Sequence, residues 1–230
     1  MYGKSKLKFT REKVQCVDYG FDFYAAQTME TEDGRRILIA WMQSWDNLMY
    51  PDTQRYSGMM TIPRELSIKG GRICQLPVRE IENYRSNVIR YDNVCIHEET
   101  ELKGISGRSI DLQIALKGNE YGKFIIKLAV DEKHYSEVIY DMDEKTLTFD
   151  RTHSGFKKDT ISTRSMYVSD KKDVINLRIL VDRFSVEIFV NDGEQVMTSL
   201  IYTPLDASGI SFASNGKAYL DVIKYDIEVE

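Results

Sequence analysis

The sequence predicts an all-β protein in two parts, with hairpins of the propeller-blade kind up to about residue 80 and a β-sandwich after them. Three observations lead there. Two hairpin patterns with glycine turns and conspicuous aromatic positions fill the first part. From about Asn87 onward, medium-length apolar or alternating runs follow one another across short polar turns. Almost nothing in the chain reads as helix.

Taken in order, residues 6–17 alternate loosely through Leu7, Phe9, Val14 and Val17 and suit one short strand and a turn. Thr31-Glu32-Asp33-Gly34-Arg35 is a turn by its chemistry, because Asp-Gly supplies a residue that tolerates positive φ. It leads into Arg36-Ile37-Leu38-Ile39-Ala40-Trp41-Met42, apolar on both faces and therefore a buried strand. A second hairpin joins residues 58–68 to Ile73-Cys74-Gln75-Leu76-Pro77-Val78 through Lys69-Gly70-Gly71-Arg72. Arg79-Glu80-Ile81-Glu82-Asn83-Tyr84-Arg85 has mixed charge and neither glycine nor proline, which suits a short helix or linker. The expected organisation is therefore 1–80 as an incomplete propeller, 81–94 as linker and 95–230 as sandwich. Within the sandwich, Ile110-Asp111-Leu112-Gln113-Ile114-Ala115-Leu116 alternates with period two, and residues 124–130, 137–140 and 146–149 follow as strands. Residues 177–182 and 185–190 make a further strand pair, and Asn191-Asp192-Gly193 turns the chain into residues 196–202.

The composition excludes several classes of function. At 230 residues and 42% hydrophobic content, the chain can bury an ordinary core. Its 31 basic and 36 acidic residues are interspersed, so nothing asks for nucleic acid. No apolar run approaches the roughly 18 residues that span a bilayer, and Met1-Tyr2-Gly3-Lys4-Ser5-Lys6 leads into no signal core. A soluble cytoplasmic protein without membrane partners is expected. Cys16, Cys74 and Cys95 form no C-x-x-C pair and read as reduced structural thiols. His97, His134 and His153 fall at no metal-ligand spacing and read as surface or loop residues, so no metal is expected.

One stretch is richer than a core strand requires. Asp18-Tyr19-Gly20-Phe21-Asp22-Phe23-Tyr24-Ala25-Ala26-Gln27-Thr28 combines two carboxylates, a glycine, aromatic rings and an amide. It resembles the Asp-x-Gly-x-Asp-Phe-Tyr-Ala-x-Gln-Thr segment of the sucrose- and fructan-cleaving enzymes of glycoside hydrolase family 32. Ala40-Trp41-Met42-Gln43-Ser44-Trp45, followed by Gly58-Met59-Met60-Thr61-Ile62-Pro63-Arg64-Glu65-Leu66, is similar to a second signature of that family. Residues 177–194 resemble the hairpin of its C-terminal sandwich.

The resemblance implies a five-bladed propeller with the active site in its central funnel, followed by a sandwich. This chain would supply about two blades, starting at the fourth, and the sandwich. Family members hydrolyse fructosyl bonds with retention, which needs two carboxyl groups about 5–5.5 Å apart. Their nucleophile lies in a Trp-Met-Asn-Asp-Pro-Asn-Gly type motif, a third aspartate in Arg-Asp-Pro and the acid/base in Glu-Cys-Pro. None of these occurs here, so no catalytic residue is assigned. The expected function is that of a truncated β-fructofuranosidase-like hydrolase inactive by itself, acting on fructose-containing saccharides in the parent family and needing no cofactor.

By the resemblance, Asp18 and Asp22 lie in the funnel near the acid/base, Tyr24 and Gln27 offer hydrogen bonds to sugar, and Trp41 and Trp45 offer apolar platforms. Blander readings stand beside these. Asp18 and Asp22 suit turn caps around Gly20, and Trp41 suits the core. Arg64 and Glu65 read as a structural ion pair, and Asp182 and Glu187 as a solvated strand face. Two other functions compete. One is a saccharide-binding or assembly module, covered at its open edge by a second copy or by a complementing N-terminal propeller piece as in a split enzyme. The other is catalysis by a different set drawn from Asp18, Asp22 and Glu65.

Overall fold

A computed structural model of the chain describes residues 14–43, 58–155, 161–168 and 174–229. The first part is one antiparallel sheet of four strands, β1 (Tyr24–Glu30), β2 (Arg36–Trp41), β3 (Arg64–Lys69) and β4 (Arg72–Pro77), ordered β1-β2-β3-β4. Its turns follow their sequence chemistry. Lys69 pairs with Arg72, and the two glycines between them take φ of 56° and 69°, the left-handed pair that a two-residue type I′ hairpin needs. Both hairpins read from the sequence thus enter a single blade. The strand expected around Leu7 and Phe9 falls in residues 1–13, outside the described residues.

The expected linker over 81–94 is largely structured. A 3-10 helix (Arg79–Tyr84) buries Ile81 and passes directly into β5 (Arg85–Ile96). β5 was hard to read because it is a bulged edge strand. Asn87 and Asn93 take positive φ, and its pairing shifts register twice against β15 (Lys217–Ile227). The remaining strands are β6 (Ile110–Glu120), β7 (Lys123–Val130), β8 (Ser136–Asp141), β9 (Thr146–Asp150), β10 (Thr163–Tyr167), β11 (Val174–Asp182), β12 (Ser185–Val190), β13 (Gln195–Leu200) and β14 (Gly209–Ser214). They form a five-stranded sheet, β10-β9-β8-β7-β14, and a six-stranded sheet, β13-β12-β11-β6-β15-β5. Alternating inward residues such as Leu112, Ile114, Ile126, Val138, Phe149 and Phe212 fill one continuous core. Phe124 and Phe212 stack within it at 6.4 Å. Cys16 and Cys95 are exposed, Cys74 is buried and all three are free thiols. Among the described residues no helix is long and apolar enough to cross a membrane.

The blade docks on the outer face of the six-stranded sheet. Residues 18–22 run beside the edge strand β13, with Tyr19 N–H donating to Val196 O at 2.8 Å and Phe21 N–H to Thr198 O at 2.9 Å. They satisfy backbone groups that an open sheet edge would leave unpaired. At the other end, Gln75 N–H of β4 donates to Gly193 O in the β12–β13 turn at 2.9 Å. Both approaches depend on the missing Cβ. One on Gly20 would lie 2.0 Å from Thr198 O, and one on Gly193 would lie 1.9 Å from Gln75 O. Gly20→Ala should therefore lower the stability by about 2–3 kcal/mol. Urea unfolding checks this, and an unchanged midpoint would show that the contact relaxes freely.

Candidate functional site

The residues singled out in the sequence separate into an open face and a buried clasp. The open face lies at the start of β1. Tyr24 pairs with Trp41, but Gln27 pairs with Ile39, so β1 spends three residues where β2 spends two. Ala25, at φ 49°, marks the bulge. Strand side chains alternate, so the extra residue places Tyr24 and Gln27 on the same face as Trp41 and Ile39. Without it Gln27 would point the other way. The Tyr24 and Trp41 rings meet edge to face at 6.3 Å and 64°. Tyr24 and Gln27 are exposed, and Trp41 is half-buried. The arrangement joins a phenol, an amide and an indole on one exposed face, groups that can hydrogen-bond a sugar hydroxyl and pack against a ring. Trp45 lies outside the described residues.

Asp18 and Asp22 are in the clasp instead. Both carboxylates are turned into the junction with the sandwich, where Asp22 is fully buried. Asp22 Oδ2 accepts from Arg151 Nη1 at 2.6 Å and from Leu200 N–H at 2.8 Å. The Arg151 guanidinium stacks on Phe21, 4.1 Å from its centroid. Asp18 does accept from Gly20 N–H at 2.8 Å, as a turn cap should. It also accepts from Thr198 N–H at 2.9 Å and Thr198 Oγ1 at 2.6 Å, and it pairs with Arg64 at 3.0 Å. Both carboxylates are thus engaged within the junction and are not on the open face with Tyr24, Gln27 and Trp41.

Arg64 is the hub. Its side chain is fully buried, and its five N–H donors are all used. Nε and Nη2 donate to Glu187 Oε2 at 3.2 and 2.6 Å, Nη1 donates to Asp18 Oδ2 and to Gln75 Oε1 at 3.0 and 3.1 Å, and Nη2 also donates to Thr198 Oγ1. Phe23 and Phe189 flank the guanidinium at 5.2 and 5.4 Å. Burial alone would lower its pKa, but Glu187 and Asp18 outweigh burial and hold it charged. Burial likewise pushes Glu187 above the usual carboxylate range, against the pull of Arg64 and of the Ile62 N–H that donates to it at 2.7 Å. Removing one partner from such a buried pair costs about 3–5 kcal/mol.

Two expectations change here. Glu187 belongs to a strand whose outer face is covered by the blade, so β12 is buried on both faces and only Asp182, at the end of β11, is exposed. Arg64 and Glu65 do not pair with each other, because neighbours on a strand point to opposite faces. Glu65 instead binds Arg79 and Arg35, both at 2.9 Å. Asp18, Asp22 and Glu65 therefore do not converge on one sugar. Arg151, Thr198 and Gln75 carry the clasp without any local sequence signal, since each is defined by a distant partner. Among the described residues no cluster of His, Cys, Asp and Glu is arranged to hold a metal ion. His134 sits on Asp131 at 2.9 Å.

Hydrogen bonds from Arg79, against a smaller burial cost and helped by Arg35, lower the Glu65 pKa to about 2 from an ordinary 4.5. A carboxylate with a depressed folded-state pKa stabilises the fold above its unfolded pKa, and that contribution is lost as the pH falls through the folded value. Glu65→Gln should thus flatten the fall in stability between about pH 4.5 and 2. Denaturant midpoints of both proteins across that window check it; parallel curves would remove Glu65 as a source.

The fold and the sequence as a whole agree with known proteins. Residues 1–77 match the glycosyl hydrolases family 32 N-terminal domain, and residues 80–229 match the family 32 C-terminal domain. The sucrose-6-phosphate hydrolase of Staphylococcus xylosus is 36% identical over 234 residues, covering 99% of this chain and 46% of that protein. The levanase of Bacillus subtilis is 33% identical over 222 residues, covering 89% of this chain and 32% of that one. The structure of sucrose-6-phosphate hydrolase from Lactobacillus gasseri superposes with a TM-score of 0.80 at 27% identity, over 92% of this chain and 42% of that one. The chain thus spans less than half the length of these proteins. It belongs to glycosyl hydrolase family 32, and its architecture is part of the family's β-propeller followed by the C-terminal β-sandwich.

Proposed function

We propose that this chain provides one wall of a fructosyl-binding funnel and the sandwich that holds it, within a β-fructofuranosidase whose bond-breaking carboxyls are supplied by other blades. The observation that carries the reading is the bulge that gathers Tyr24, Gln27 and Trp41 on one exposed face of a family 32 blade. The sequence itself supports the division of labour, because its 230 residues contain no Asn-Asp-Pro, Arg-Asp-Pro or Glu-Cys-Pro step. Relatives named for sucrose 6-phosphate, raffinose and levan support a substrate with a terminal fructosyl unit. Asp18 and Asp22 act in this reading as supports of the wall. The proposed compartment is the cytoplasm, which three free cysteines suit.

The partner in this reading is the remaining part of a family 32 propeller. β1 is the outer strand of its sheet, and its exposed side includes Tyr24 and Met29. Such an edge needs a cover. A second copy of this chain is the competing cover, and sedimentation at micromolar concentration separates a dimer from a monomer that awaits its complement.

A chimera tests the assignment. This chain replaces the matching part of the Staphylococcus xylosus relative, which contributes the remaining propeller. The chimera should release fructose from sucrose 6-phosphate, and Trp41→Ala or Gln27→Ala should lower its kcat/KM by roughly 10–100-fold, about 1.4–2.7 kcal/mol of transition-state binding. The 230-residue chain alone should release none. Fructose release by the chain alone that disappears in Asp22→Asn, or a chimera indifferent to both substitutions, would overturn the proposal.

A further inference from the structure

The blade covers only part of the six-stranded sheet. It lies over β13 and β12, and the neighbouring outer faces of β11, β6 and β15 remain as the floor of a cleft of about 490 Å³. The β12–β13 turn at Asp192 and Gly193 forms one wall, and Glu82 of the 3-10 helix contributes another. The volume falls within the about 300–1,000 Å³ of small-molecule sites. None of the lining residues belongs to the face made by Tyr24, Gln27 and Trp41.

The chemistry of the floor is specific. Gln113 and Asn176 line the cleft, and neither side-chain amide is hydrogen-bonded to another described residue. Arg178 is fixed in orientation, because its Nε and Nη2 donate to Asp111 at 3.1 and 2.7 Å. Asp111 is fully buried and is held in turn by Arg85 at 2.6 Å. The Nη1 of Arg178 takes no part in that pairing. Asp221 is held by Lys117 at 2.5 Å and by the Asn93 N–H at 2.8 Å. Amides that both donate and accept, beside an oriented guanidinium and a carboxylate, match hydroxyl groups, each of which also donates and accepts. Apolar atoms of Ile223 and Ala115 lie between them, where the C–H face of a sugar can pack. Arg178 is already paired with Asp111, Lys117 with Asp221 and Arg85 with Glu82, so among the described residues the cleft offers no cluster of unpaired cations that would favour a phosphorylated ligand over a neutral one.

We propose that this cleft binds a neutral oligosaccharide, gripped by Gln113, Asn176 and Arg178. The fructose-containing identity of that saccharide rests on the function proposed above; the grip itself rests on the cleft. A site on the sandwich would hold a longer chain near the blade and raise its local concentration there.

Calorimetric titration of the 230-residue protein with 1-kestose tests it, carried out in a Trp41→Ala background so that the blade face does not contribute. Binding is expected in the millimolar range. Adding Gln113→Ala and Asn176→Ala should weaken it at least fivefold without moving the melting temperature, since neither amide has a partner among the described residues to lose. Sucrose 6-phosphate should bind no more tightly than 1-kestose. Absence of 1-kestose binding, binding indifferent to the two amide substitutions, or a preference for the phosphorylated sugar would each overturn the proposal. The chimera's response to Trp41→Ala judges the blade face separately, so either reading can fall while the other stands.

Discussion

The structure depends on one buried cation. Arg64 leaves the blade from β3 and is met by a carboxylate from the segment before β1, by another from β12 of the sandwich, and by Gln75 and Thr198. An arginine suits this place because its planar fork presents five donors in fixed directions, and here each has an acceptor. Lysine could not reproduce the geometry. Desolvating the guanidinium is costly by itself, and the arrangement is stable only with all partners present, so Arg64 couples the two parts of the chain.

The rest of the junction adds backbone contacts and a second buried ion pair. Residues 18–22 add to the edge of the six-stranded sheet as a strand would, which both closes the edge and brings Asp18 and Asp22 to their cations. Gly20 and Gly193 let backbone meet backbone. The Asp22–Arg151 pair anchors the other end, sandwiched by Phe21. The same eleven residues then turn outward, and the bulge at Ala25 presents Tyr24 and Gln27 beside Trp41. One short segment thus fastens the blade with its first half and builds the exposed face with its second.

How much of this was legible follows from the range of each interaction. The Gly70-Gly71 hairpin and the Asn191-Asp192-Gly193 turn were readable because turn conformation is set by the residues in it. The alternating strand from Ile110 was readable because one of its faces meets a continuous core. Glu187 was misread for a related reason, since alternation identifies the face away from the core but says nothing of what covers that face. β5 escaped because an edge strand with two bulges and solvent on much of its surface has no clean period. The motif at Asp18 was recognised as unusual, yet its two carboxylates serve the junction; their partners, Arg64 and Arg151, lie 46 and 129 residues away. The agreement of Tyr24 with Gln27 on one face required the bulge, which the sequence does not announce.

The central claim is that Arg64 makes blade and sandwich one cooperative unit. Native-state hydrogen exchange of the wild-type chain and of Arg64→Met tests it most directly, because it reports opening free energies strand by strand. In the wild type, amides of β2 and β3 should open together with those of β12. In Arg64→Met they should lose protection, while amides of β7 and β8 in the sandwich core keep theirs. Unchanged protection of β2 and β3 in the variant would contradict the claim, and the junction would then have to be held by the backbone contacts at Gly20 and Gly193 together with the Asp22–Arg151 pair.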